Sequence, residues 1–63
     1  MKIKYTITEK NGNTISLFAA ERSFISCFNR YMITIQEPAD NFNAIKVIAA
    51  FNINEIKSIT RHE

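Results

Sequence analysis

A chain of 63 residues carrying eight basic and six acidic side chains, formal net charge +2, has room for one small domain spanning residues 1–63. The charge bias is too slight to argue a nucleic-acid partner by itself, and a single cysteine excludes an internal disulfide and an all-cysteine zinc site. No apolar run approaches the ~20 residues a membrane span needs, and the alternating N-terminus lacks the apolar core of a signal peptide.

The first predicted elements are two alternating runs joined by Glu9-Lys10-Asn11-Gly12-Asn13. Ile3, Tyr5 and Ile7 fall at every second position, with Lys and Thr between them, which is the period of a half-buried strand. Ile15, Leu17 and Ala19 alternate with Thr14, Ser16 and Phe18 after the turn. A two-residue Asn11-Gly12 loop would pair Ile7 with Ser16 and set a polar residue beside each apolar one. A three-residue loop, Lys10-Asn11-Gly12, pairs Ile7 with Ile15, Tyr5 with Leu17 and Ile3 with Ala19. The face pattern selects the longer loop and puts Gly12 in the left-handed position of a G1 bulge.

Ala20, Phe24, Cys27, Phe28 and Tyr31 then recur at the spacing of one helical face, with Glu21, Arg22, Ser26 and Asn29 mostly elsewhere. The spacing predicts a helix from about Ala20 to Asn29, in preference to a strand over Phe24–Phe28 that lacks clean alternation. Tyr31 to Gln36 reads as a third strand, with Tyr31, Ile33 and Ile35 on one face and Met32, Thr34 and Gln36 on the other. Pro38 lacks an amide donor, so Glu37 to Asn43 is expected as the longest loop. Ala44 to Phe51 reads as a fourth strand. It is apolar on both faces, which suits a central or doubly covered position. At the C-terminus, Asn52-Ile53-Asn54-Glu55 has capping-box spacing, but the β-branched run Ile56 to Arg61 favours a tight 3₁₀-like turn followed by a last strand. This ending resembles that of small SH3-like barrels; the likeness covers the C-terminal piece alone and contains no diagnostic motif. The expected architecture is α+β: an N-terminal hairpin, one short helix, then two to three further strands of an antiparallel sheet.

Candidates for chemistry are few. His62 is the sole histidine and lies next to the C-terminal residue, where chains fray and a catalytic base is poorly held. Cys27 falls on the predicted apolar helical face and is expected to be a buried small hydrophobe. Of the acids Glu9, Glu21, Glu37, Asp40 and Glu55, only Glu37 and Asp40 are neighbours, and they share a loop rather than the rigid frame that paired carboxylates require. With one glycine there is no phosphate cradle. No catalytic set, no cofactor and no metal is expected.

What remains is a surface. If Ile3, Tyr5, Ile7, Ile15 and Leu17 face the core, the opposite face carries Lys2, Lys4, Thr6, Thr8, Thr14, Ser16 and Phe18, with Lys4 directly across from Phe18. The candidate interaction residues are Lys4, Phe18, Met32 and Ile48 on the expected outer face, with Phe42 in the long loop. Phe and Met are enriched in interface cores. Eleven isoleucines and a 46% apolar composition are more than a tiny monomer readily hides, since a chain this short buries only about 60% of its unfolded surface. These features suit a non-catalytic intracellular protein-binding module of adaptor or inhibitor type, dimeric, of the sort a phage or mobile element encodes. The second reading is a single-stranded RNA or DNA binder, with Phe18 stacking a base and lysines on phosphate.

Overall fold

The computed structural model describes residues 1–39 and 44–63. Strands β1 (Lys2–Glu9) and β2 (Thr14–Ala20) form the N-terminal hairpin in the register expected from the face pattern: Ile3 opposes Ala19, Tyr5 opposes Leu17, Ile7 opposes Ile15 and Lys4 opposes Phe18. The loop has the predicted length. Glu9 N–H donates to the Asn13 carbonyl at 2.8 Å, Gly12 N–H closes a turn onto the Glu9 carbonyl at 3.0 Å, and Gly12 sits at φ +94°. Asn11 Oδ1 accepts from Asn13 N–H at 2.9 Å and braces the turn.

The expected helix is not formed. Ala20–Ser23 makes a tight turn, with Ser23 N–H and Ser23 Oγ both donating to the Ala20 carbonyl, and the chain leaves it as strand β3 (Phe24–Cys27). The residues whose spacing looked helical do not make a buried stripe: Phe24, Cys27, Phe28 and Tyr31 are all exposed. Pairing decides the matter. Opposite strand β4 (Met32–Pro38), β3 sets Ile25 against Ile35 and Cys27 against Ile33, so the edge of β4 gains backbone partners that a helix could not give it.

Strand β5 (Ile45–Asn52) lines the other side of β4. Among the described residues it is an edge strand, not the central or doubly covered one expected. Its two apolar sets have a different cause: Ile35 pairs with Ala49 but Gln36 pairs with Val47, so Ile48 is an extra residue at a β-bulge. The bulge shifts the alternation, leaving Phe51 and Ile48 against the core while Ile45 and Val47 are exposed. Pro38 ends β4 rather than stopping it earlier, and its carbonyl accepts from Arg22 Nε at 2.9 Å.

A single turn of 3₁₀ helix (Ile53–Glu55) follows, with Asn52 Oδ1 capping Asn54 N–H at 2.9 Å, and leads into β6 (Ile56–His62). This is the turn-and-strand ending expected from the sequence. Strand β6 returns to pair antiparallel with β1. The described residues therefore form two three-stranded antiparallel sheets, β2-β1-β6 and β3-β4-β5, with no α-helix; the α+β architecture is overturned. The molecule measures 37 × 26 × 12 Å, and side chains of both sheets meet in one small core. Tyr5, Ile7, Ala19 and Ile35 fill the centre, and Leu17, Ile48, Phe51, Ile56 and Ile59 pack around them.

Candidate binding face

Because β6 joins β1 in register, the outer side of sheet β2-β1-β6 is a grid of paired residues. One row is Phe18–Lys4–His62, the next is Ser16–Thr6–Thr60, and the third is Thr14–Thr8–Ser58. Paired residues share a face, so this surface presents one aromatic ring, one ammonium, one imidazole and six hydroxyls, with no carboxylate in the three rows. Lys2, paired with Ala20, extends it towards the strand ends. Phe18 is 62% exposed although it lies mid-strand. Its cross-strand neighbour is Lys4 and its same-face neighbours along the strand are the small Ser16 and Ala20.

His62 is held in this grid. It ends β6 and shares a 2.8 Å hydrogen bond between its Nε2 and Thr6 Oγ1, so the expectation of a frayed terminal histidine is corrected. A cleft of about 510 Å³ opens beside Phe18 and Lys4, bounded also by Lys2, Glu21, Arg61 and His62. Arg61 comes from the core side of β6, opposite Tyr5. Its Nη1 donates to the Tyr5 hydroxyl at 3.0 Å and to the Ser23 carbonyl, its Nη2 donates to the Glu21 carbonyl at 2.5 Å, and its Nε pairs with Glu63 at 3.0 Å. Desolvation lowers the Arg61 pKa, but the hydrogen bonds to Glu63 and Tyr5 outweigh it and the net shift is upward. The guanidinium is thereby a fixed strut between β6 and the turn at Ala20–Ser23.

Of the five candidate interaction residues, Lys4 and Phe18 are brought together as expected. Met32 is half-buried and lies in the other sheet, on β4. Ile48 packs against the core at the bulge and is not on an outer face. Phe42 lies outside the described residues. Sequence reasoning missed the β6 half of the grid, Ser58, Thr60 and His62; the alternation of these with Ile59 and Arg61 was the available signal, but nothing local says which strand β6 will pair with.

A second surface lies between the sheets. Ile25, Ile33, Ile53, Ile56 and Ile59, together with Lys57 and Ser58, line a mainly apolar cleft of about 280 Å³. The β3–β4 hairpin tip borders it, since the Tyr31 carbonyl accepts from Ile53 N–H at 2.8 Å. Asn29 Oδ1 accepts from both Tyr31 N–H (2.7 Å) and Met32 N–H (2.9 Å), which stiffens the tip, and Phe28 and Tyr31 project from it 65% and 58% exposed. Cys27, at the base of the tip, is exposed rather than buried, its Sγ 3.7 Å from the Asn29 carbonyl. Among the described residues, no three of His, Cys, Asp and Glu converge on a point where a metal ion could sit, and no helix is long and apolar enough to cross a membrane. No protein-family model, no curated protein and no solved structure matches the chain.

Proposed function

We propose that the protein is a small non-catalytic protein-binding module, of adaptor or inhibitor type, that acts in a reducing compartment as a homodimer. The observation that carries this reading is the exposed aromatic tip, Phe28 and Tyr31, standing beside a cleft lined mainly by isoleucines. A knob and a hole on one surface can satisfy each other across a two-fold axis, which is what an isologous contact demands. Aromatic side chains are also among those that dominate interface energetics.

Strand β3 supports the same contact. It is an edge of its sheet among the described residues, and Phe24-Ile25-Ser26-Cys27 has neither charge, proline nor bulge to discourage pairing with another strand. The remaining edge of that sheet, β5, carries both a bulge and Lys46. A β3–β3′ pairing would extend the sheet across the dimer. Light scattering across a concentration series tests the reading. A mass twice that of the chain is expected, reverting to one chain in the Phe28→Asp/Tyr31→Asp variant with its thermal unfolding retained. A wild-type protein that stays monomeric at high concentration overturns the dimer.

A further inference from the structure

We propose that the outer face of sheet β2-β1-β6 binds single-stranded nucleic acid, independently of the self-association surface on the tip and β3. The argument rests on what the register places together. A stacking platform needs an exposed ring with polar surroundings, and Phe18 is 62% exposed with Lys4, Ser16 and Ala20 as its same-face neighbours. Every base has a π-face, so one such ring accepts any of them. The sugar–phosphate chain then needs cations and hydrogen-bonding groups beside the ring. Lys4 lies directly across from Phe18, Lys2 lies one row further, and His62 completes the row on the far strand. Six hydroxyls, from Thr14, Ser16, Thr6, Thr8, Ser58 and Thr60, fill the other two rows and can donate or accept towards phosphate, sugar or base edges.

Charge sign selects the occupant. The chain is only +2 overall, yet the three rows hold no carboxylate, so the positive charge on this face is not cancelled within it. The acids nearest the site, Glu21 and Glu63, border the adjoining cleft, and Glu63 is ion-paired with Arg61 at 3.0 Å. A protein partner would be expected to meet a more apolar centre than one ring among hydroxyls and lysines. A duplex would need a projecting element to enter a groove, whereas an open three-stranded sheet face suits unpaired bases laid across it.

Fluorescence anisotropy with labelled mixed-sequence oligonucleotides, in matched RNA and DNA forms, tests the proposal at low salt. Binding of at least one form is expected, weakening steeply as salt rises. Phe18→Ala should reduce affinity about fivefold or more, the loss typical of a base-stacking ring. Lys4→Gln should weaken binding and flatten the log–log salt dependence by about 0.7, while Val47→Ser on the other sheet should leave both unchanged. Thermal unfolding of each variant confirms that the fold is kept, and repeating the titration in Phe28→Asp/Tyr31→Asp separates this site from the dimer contact. The proposal is overturned if neither nucleic acid binds at low salt. It is overturned equally if Phe18→Ala binds like wild type while inorganic polyphosphate competes charge for charge, for the face would then hold anions without reading bases. A third contrary result is a lower light-scattering mass for Phe18→Asp with no oligonucleotide bound, which would make the face a protein interface.

Discussion

Tyr5 joins the core to the turn that separates the two sheets. Its ring is fully buried, while its hydroxyl lies 2.7 Å from Ser23 Oγ and 3.0 Å from Arg61 Nη1. Tyr5→Phe keeps the packing and strips the buried hydrogen bonds, so a loss of about 1–2 kcal/mol is expected in urea unfolding. Gly12 acts through backbone alone. Nothing lies within 4 Å of a Cβ built there, yet φ is +94°. Gly12→Ala should therefore cost about 1 kcal/mol through conformational strain, shifting the urea midpoint without changing the slope. Cys27 gives a chemical readout at the same scale. In dilute protein its exposed thiol should alkylate about as fast as the unfolded chain's, and protection should grow with concentration if β3 enters a dimer contact.

At the scale of elements, the hairpin, the strands read at Tyr31 to Gln36 and Ala44 to Phe51 and the C-terminal ending were legible, and the segment from Ala20 to Asn29 was not. The hairpin register followed from matching apolar faces, because each strand's pattern is strict and the connecting loop is short. The 3₁₀ turn and β6 followed from a capping asparagine and a β-branched run. Over Ala20 to Asn29 the apolar residues fell at helical spacing by coincidence: β3 is an edge strand with partly exposed side chains on both faces, so burial did not impose a period of two on it. For β5, a bulge at Ile48 made an edge strand look buried on both sides. Far-UV circular dichroism should show a sheet spectrum without helical minima; a helical double minimum would restore the α+β reading.

For the whole molecule, the small core sets the tolerance to change. A chain of this length is expected to be stable by roughly 3–9 kcal/mol. Ile35 is fully buried on β4 and contacts the β1 side of the core, so Ile35→Ala should remove about 2–5 kcal/mol and leave the protein largely unfolded on mild heating. Phe18→Ser, on the open face, should change stability by less than about 0.5 kcal/mol in the same melt. The contrast between these two variants checks that Ile35 belongs to the core and that Phe18 stands on an open face.

The amino-acid sequence by itself determined the hairpin, its three-residue loop and the opposition of Lys4 to Phe18, because these depend on neighbours a few residues apart whose pattern and turn chemistry agree. Only the tertiary structure decided that β6 returns to β1, which sets His62 and the hydroxyls of Ser58 and Thr60 beside Lys4 and Phe18. It alone turned the would-be helix into the partner of β4 and drew Ile48 into the core. The physical reason is common to all three. Each outcome depends on how a segment pairs with another strand: β6 with β1 at the other end of the chain, β3 and β5 with β4. A segment's own pattern of residues does not reveal its partner or a bulge in the pairing.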